Sequence, residues 1–199
     1  MNRILLGVVL SSAIALPAFA ALKLGDKAPS FATPASLAGK EFKFSLDDAL
    51  KKGPVVVYFY PSAYTGGCNI EAHTFAENKD KFAAAGATII GVSHDNIARL
   101  NDYSADPEYC AGKFPVASDP DGAIARSYDL KVMPGKPGIK DTRGNEIGHD
   151  FTERTTFVIT PDHKIAATFS SADEKLKPEE HVSKSLELVE QLKAPPKAM

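Results

Sequence analysis

The strongest structural signal in this sequence is the run VVVYFY at residues 55–60, which Pro61 follows directly. A strand with no polar alternation has no side that faces solvent, so this run predicts a central strand buried on both faces of a sheet. Helices must cover both faces of such a sheet. The sequence therefore predicts an α/β fold of three layers, with a mixed central sheet between two layers of helices.

Strand and helix signals alternate along the rest of the chain. The lead-in at 21–38 is rich in Pro, Ala and Ser and is predicted to be irregular, and the glycine-rich stretch 131–150 is predicted to be the least regular part. The other predicted strands cover 41–45, 88–92, 116–118, 155–160 and 164–169, and the predicted helices cover 46–52, 68–85, a stretch from about Asn96 capped by Ser93 or Asp95, 123–128 and 178–192. The last two strands are expected to pair as a hairpin.

The first twenty residues have the pattern of a cleaved secretory signal. Arg3 gives a basic start, residues 4–16 carry no charge, and the sequence AFA ends at Ala20. The alternative, a membrane anchor, would need about 20 apolar residues to cross a ~30 Å hydrocarbon core. We therefore expect a signal peptide at 1–20, one domain at 21–199 whose tail is disordered from about residue 194, and a periplasmic or secreted product.

Composition excludes several classes of protein. The formal net charge is -2, which argues against a nucleic-acid binder held by a basic surface. The two cysteines are too few for a disulfide-stapled mini-protein or a four-cysteine zinc site. The turn sequence DPDG at 119–122 lacks the remaining ligands of a calcium loop, and no stretch after the leader is apolar enough to cross a membrane. Two cysteines can form one disulfide or one redox pair.

Cys68 lies in a position that suits a reactive thiol. It follows the central strand and is predicted to lie in the first turn of a helix, where free backbone N–H groups and the helix dipole favour an anion. Because the thiolate is the nucleophilic form of cysteine, the position predicts reactivity. Thr65 and Pro61 precede it at spacings that allow a hydroxyl to enter the same pocket and a proline to form its wall.

The pattern P-x-x-x-T-x-x-C formed by Pro61, Thr65 and Cys68 resembles the active-site motif of peroxiredoxins. The resemblance continues at Glu71, at the sequence FPVASDPDG of residues 114–122 and at RTTFVI, which begins with Arg154. The matches run from about residue 24 to residue 192. They are most similar to the bacterioferritin-comigratory, or peroxiredoxin Q, subgroup.

This resemblance implies a thioredoxin-like fold and a thiol-dependent peroxidase. Cys68 would attack hydrogen peroxide or an organic hydroperoxide and become a sulfenic acid, while Arg154 and Thr65 would stabilise and position the reacting atoms. Pro61 would form part of the pocket, and Glu71 would support it. The implied partners are the peroxide and a thiol reductant, either a thioredoxin-like protein or a small thiol. No metal or organic cofactor is implied, and a monomer is expected.

Three features depart from the family pattern. Gly66 and Gly67 stand where many members carry a proline or a hydroxyl residue, and two glycines raise the entropic cost of fixing a loop. His73 stands where some members carry a second cysteine, and we interpret it as a solvated helix residue. The stretch 131–150 is longer than the usual connection.

Cys110 is predicted to lie late in the helix that begins near Asn96, and the resemblance implies that it resolves the sulfenic acid. Two alternatives are a permanent disulfide with Cys68 and a buried, inert thiol. Other classes of function also remain open: a thioredoxin-like periplasmic thiol-disulfide oxidoreductase, a copper chaperone, or a non-catalytic thioredoxin-fold binding protein. The first would normally need a Cys-x-x-Cys motif, and the second a further ligand at metal-binding distance.

Overall fold

The computed structural model describes residues 21–193, so the predicted signal peptide at 1–20 and the predicted disordered tail from about 194 lie outside the described residues. The strands are β1 (Ala32–Leu37), β2 (Lys40–Ser45), β3 (Val55–Phe59), β4 (Thr88–Ser93), β5 (Val116–Ser118), β6 (Val132–Met133), β7 (Phe151–Thr152), β8 (Thr155–Ile159) and β9 (Ile165–Ser170). The helices are α1 (Leu46–Leu50), α2 (Gly66–Ala84), α3 (Ile97–Ala105), α4 (Ala123–Ser127), α5 (Ser171–Glu174) and α6 (Pro178–Lys193).

Seven of the strands form one sheet in the order β2-β1-β5-β4-β3-β8-β9. β3 is parallel to β4, and β4 is parallel to β5, whereas β8 is antiparallel to β3 and forms the predicted hairpin with β9. β6 and β7 form a separate antiparallel pair. The mixed sheet confirms the predicted fold class.

The central strand β3 is buried along its whole length, as predicted. Successive side chains of a strand point to opposite faces. Val56 and Tyr58 therefore pack in the core formed with α2, α3 and α6, and Val55, Val57 and Phe59 pack in the core formed with α1 and α4. The helices thus lie on both faces of the sheet, and no helix in residues 21–193 is long and apolar enough to cross a membrane.

The expectation of an irregular lead-in is wrong for β1. This strand pairs with β2 along its length, whereas β5 pairs only with Ala35 and Ser36. One side of Pro34 is therefore left without a neighbouring strand, and proline is tolerated at such edge positions. By contrast, 131–150 contains little regular structure beyond β6, as predicted.

The helix boundaries correct two predictions near the cysteines. The N-cap of α3 is Asn96, whose side chain accepts a hydrogen bond from the backbone N–H of Arg99 at 2.9 Å, and neither Ser93 nor Asp95 has that role. Cys110 does not lie in a helix, because α3 ends at Ala105 and turns follow it. Asp106, the residue before Pro107, has an extended backbone, as the clash with a following proline ring favours.

Gly91 of β4 lies directly beside Tyr58 of β3 in the parallel pair. A Cβ atom at position 91 would lie 2.6 Å from both Cζ and Oη of the buried tyrosine. We expect Gly91→Ala to lower the free energy of unfolding by about 1–3 kcal/mol, the usual effect of overpacking a core, in urea titrations. Gly148→Ala is the matched control, since a Cβ there meets nothing within 4 Å. Equal losses in the two variants would contradict the packing argument.

Candidate active site

The candidate active site begins where β3 ends and α2 starts. Residues 60–65 connect the two elements, and Thr65 occupies the N-cap position of α2 with an extended backbone. Cys68 is the third residue of the helix and is 2% exposed. The first N–H groups of a helix have no acceptor inside it, so this end of α2 presents partial positive charge to the sulfur.

Arg154 supplies a full positive charge beside Cys68. Its Nη2 group donates a hydrogen bond to Cys68 Sγ at 3.1 Å. Arg154 directly precedes β8, and the antiparallel pairing of β3 with β8 sets Thr155 opposite Phe59. The register of the sheet therefore brings the start of β8 to the loop that follows β3. Arg154 and Cys68, which both lie in segments that resemble peroxiredoxins, are placed side by side as a result.

Glu71 accepts a hydrogen bond on Oε2 from the other terminal nitrogen of Arg154, Nη1. The Glu71 side chain is completely buried. Burial raises the pKa of this carboxyl group to about 7, and the Arg154 charge works in the opposite direction. Although burial opposes its charge, the pKa of Arg154 is raised by Glu71 and Cys68. The Arg154 guanidinium thus donates hydrogen bonds to two acidic groups, Glu71 and Cys68, at once.

Thr65 closes the loop instead of capping the helix with its side chain. Its hydroxyl donates to the carbonyl of Ser62 at 2.8 Å, so the oxygen can still accept a hydrogen bond from a bound molecule. Pro61 is partly buried in the same loop. Tyr103 of α3 donates to the carbonyl of Cys68 at 3.0 Å and fixes the start of α2 from the other side.

Gly67 leaves room for the Arg154 side chain. A Cβ atom at position 67 would lie 3.2 Å from Arg154 Nη2 and 3.4 Å from Cγ of Pro178. The backbone of Gly67 is not in the left-handed region. The close approach of the guanidinium therefore gives a steric reason for this glycine.

Asp95, which the sequence suggested only as a helix cap, instead binds the loop between β3 and α2. Its buried carboxylate accepts from the backbone N–H of Ala63 at 2.7 Å and from Ser62 Oγ at 3.0 Å. It also pairs with Arg99 Nε and His149 Nε2, both at 2.8 Å. Although burial works in the opposite direction, His149 and the other donors hold the pKa of Asp95 below its ordinary value. A polar sequence directly after a strand parallel to β3 is the signal that could have located it.

The segment 131–150 contributes a second set of contacts to the same loop. The backbone N–H of Thr142 donates to the carbonyl of Tyr64 at 2.9 Å. Asp141 pairs with Arg99 at 2.8 Å, and the guanidinium of Arg143 lies 3.3 Å from the centre of the Tyr64 ring. The long connection therefore clamps the loop that carries Thr65 and leads to Cys68.

Cys110 lies in the turns between α3 and β5 and is completely buried. Burial raises the pKa of the Cys110 thiol well above its ordinary value. Both cysteines are free thiols in this structure, which does not contain the permanent disulfide considered above. His73 is exposed, and its Nδ1 lies 2.9 Å from the carbonyl oxygen of Glu108. Within residues 21–193, no group of three His, Cys, Asp or Glu side chains could hold a metal ion.

The substitution Arg154→Lys keeps a positive charge but cannot reproduce the planar fork that bonds Cys68 and Glu71 together. Loss of one hydrogen bond to a charged group costs about 1.5–3 kcal/mol, so we expect the reaction of Cys68 with hydrogen peroxide to slow about 10- to 100-fold. Stopped-flow kinetics measures this rate. Arg126→Lys, on the exposed side of α4, is the control. An unchanged rate in Arg154→Lys would show that the fork is not needed.

Comparison with known proteins identifies the family. Residues 24–168 match the AhpC/TSA family. Peroxiredoxin Bcp of Escherichia coli is 31% identical over 148 residues, which cover 74% of this chain and 85% of that protein. The crystal structure of peroxidoxin BcpB from Mycobacterium tuberculosis aligns with a TM-score of 0.70 at 28% identity, over 87% of this chain and 99% of that one.

A second solved structure, peroxiredoxin Q of Xanthomonas campestris, aligns with a TM-score of 0.62 at 28% identity, over 81% of this chain and 91% of that one. The similarity therefore extends across the fold and includes the part of the chain that carries the Cys68 motif and Arg154. The chain belongs to the AhpC/TSA family.

Proposed function

We propose that the protein is a thiol-dependent peroxidase whose nucleophile is Cys68. The observation that carries this proposal is the hydrogen bond from Arg154 to the Cys68 sulfur at the start of α2. The cation and the helix N-terminus stabilise negative charge at the sulfur, and the burial of the sulfur limits access to small molecules. The Cys-x-x-Cys motif of a disulfide carrier is missing from the sequence, so the oxidoreductase alternative is not favoured.

The site can perform the reaction with its own side chains. The Cys68 thiolate attacks one peroxide oxygen, an S–O bond forms as the O–O bond breaks, and the other oxygen leaves as hydroxide or alkoxide. Arg154 stabilises the negative charge that moves from sulfur to the leaving oxygen. The Thr65 oxygen accepts a hydrogen bond from the peroxide and helps to align it.

The substrates we propose are hydrogen peroxide and organic hydroperoxides. The bacterioferritin comigratory protein of Xanthomonas campestris, which is 28% identical to this chain, has alkyl peroxide reduction activity. We also propose cleavage of residues 1–20 and export, which the sequence pattern supports. A thioredoxin-like protein or a small thiol outside the cytoplasm would then be the reductant, and the enzyme would act as a monomer.

Cys110 is the thiol that we propose resolves the sulfenic acid. In the present conformation it is buried and its raised pKa keeps it neutral, so it is a poor nucleophile. A disulfide needs Cα atoms within about 7 Å, so the turns that carry Cys110 and the start of α2 must meet. Ala111, the next residue, has a left-handed backbone at φ 52°, a strain that opening of these turns would relieve.

The variant Cys68→Ser tests the nucleophile. A serine hydroxyl is not appreciably ionised at neutral pH, so we expect peroxide consumption with a dithiol reductant to fall to the background rate while the circular dichroism spectrum is unchanged. Cys110→Ser, which keeps the proposed nucleophile, is the matched control in a single-turnover experiment. Turnover by Cys68→Ser above a trace would contradict the assignment.

The variant Cys110→Ser tests resolution. We expect it to reduce one equivalent of peroxide and then to remain a sulfenic acid that excess peroxide oxidises further. In the wild type, mass spectrometry should find a Cys68–Cys110 disulfide only after peroxide has been added. A free Cys110 beside a stable Cys68 sulfenic acid in the wild type would instead indicate a one-cysteine enzyme.

A further inference from the structure

A row of polar side chains leads from the Cys68 sulfur into the space between α2, β8 and α6. Arg154 bridges Cys68 and Glu71. His181 of α6 lies beyond Glu71, with its Nδ1 4.0 Å from Glu71 Oε1. Cys68 is 2% exposed, and Glu71 and His181 are completely buried. Water does not screen charges in such a place, so the number of charges in this group is tightly constrained.

His181 is held in one neutral form. The hydroxyl of Ser171 donates to the carbonyl of Leu176 at 2.9 Å, so its oxygen must accept from His181 Nε2, also at 2.9 Å. A neutral imidazole has one N–H group, which leaves a lone pair on Nδ1 facing the Thr156 hydroxyl at 3.0 Å. Burial, reinforced by the Arg154 charge, lowers the pKa of His181 to about 4. His181 therefore offers no N–H group to Glu71.

The oxygen of Glu71 that faces His181 has no donor. Oε2 is bonded to Arg154, but Oε1 has no hydrogen-bond partner among the described residues. An ionised Glu71 would leave this buried oxygen unsatisfied, which is unfavourable. Protonation of Oε1 would remove this negative charge, which the neutral His181 on the same side cannot balance. The surroundings of Oε1 therefore favour the acid form.

We propose that Cys68 and Glu71 share one negative charge beside Arg154, so that Glu71 holds a proton on its His181 side whenever Cys68 is a thiolate. This inference rests on the proposed role of Cys68. Arg154 is the one cation in this buried group, and a second anion would have no second cation to balance it. When the S–H bond breaks, the electron pair stays on sulfur and the proton lost from sulfur is balanced by one bound at Glu71, so the group keeps the same number of protons.

The shared charge also balances the proton in the peroxidase reaction. Attack by the thiolate leaves Cys68 as a neutral sulfenic acid and releases an alkoxide or hydroxide. The proton held by Glu71 then ends on the leaving oxygen, which becomes an alcohol or water. Glu71 is again the single anion beside Arg154, so the buried group carries one negative charge before and after the step.

Four elements contribute titratable groups around Glu71. These are Cys68 on α2 itself, Arg154 before β8, His181 on α6 and Tyr58 on β3. Burial raises the pKa of Tyr58 well above its ordinary value, so its phenol stays neutral. Arg154 stays charged and His181 stays neutral near pH 7. Cys68 is thus the acidic group that shares Arg154 with Glu71.

Infrared spectroscopy of the full chain can detect the protonated Glu71 through its carbonyl band. We expect this band to persist in the reduced wild type to a pH about one unit or more higher than in Cys68→Ala, which has no thiolate to share the charge. In Cys110→Ser, one equivalent of hydrogen peroxide should remove the band at neutral pH, because Cys68 becomes neutral. Loss of the band in Glu71→Gln assigns it to Glu71. If Glu71→Gln does not fold, a shift of the band in Glu71→Asp makes the assignment instead.

The alkylation of Cys68 by iodoacetamide provides the reciprocal measurement, in a Cys110→Ser background. Coupling between two sites is mutual, so Glu71→Gln should move the pH midpoint of alkylation downward by as much as Cys68→Ala moves the Glu71 midpoint. Glu77→Gln is the matched control, because Glu77 lies on the same helix with a 64% exposed side chain. It should leave the alkylation midpoint unchanged.

Two results would overturn the proposal. The first is a Glu71 that is ionised at every pH at which Cys68 is a thiolate, and the second is a pair of shifts that differ in size. Peroxide turnover by the wild type is measured separately. Turnover without the coupled titration would refute the shared charge alone, whereas the coupled titration without turnover would refute only the peroxidase assignment.

Discussion

The site depends on the antiparallel pairing of β3 with β8. The loop that leads to Cys68 leaves the sheet where β3 ends, and Arg154 enters the sheet at the same edge because Thr155 lies opposite Phe59. A slip of one residue in this register would turn every side chain of β8 to the other face of the sheet. The two cores that flank β3 prevent such a slip, since each requires the alternate side chains of these strands. Packing of the sheet thus fixes where the guanidinium meets the sulfur.

The loop itself needs more than the sheet to hold it. The helix that follows it begins with Gly66 and Gly67, which lose more conformational entropy than other residues, and the left-handed backbone of Tyr64, at φ 60°, is a strained conformation for a residue with a side chain. Asp95, at the end of the parallel neighbour β4, binds the loop from one side, and the segment 131–150 binds the Tyr64 carbonyl from the other. The long connection that departs from the family pattern therefore orders the flexible loop.

Local patterns in the sequence were sufficient for much of the fold. The buried run of β3, the hairpin of β8 and β9 and the closing helix α6 each follow from hydrophobic periodicity or a turn. The proposed role of Cys68 and its pairing with Arg154 followed from the resemblance to a family motif. Glu71 shows where such reasoning stops, because a charged residue on a helix is usually solvated. Glu71 is buried against Arg154 and His181, which come from distant parts of the chain. Residue spacing in the sequence does not predict such contacts.

The burial of both thiols has a consequence for the proposed two-cysteine cycle. The rings of Tyr64 and Tyr109 meet edge to face at 5.7 Å, and Tyr103 packs against both. Tyr64 belongs to the loop before Cys68, and Tyr109 directly precedes Cys110. Movement of either segment would therefore remove ring contacts from the other, so opening of the two segments would be coupled. Because Tyr64 and the residue after Cys110 both have left-handed backbones, such an opening would also release strain on both sides of the aromatic contact.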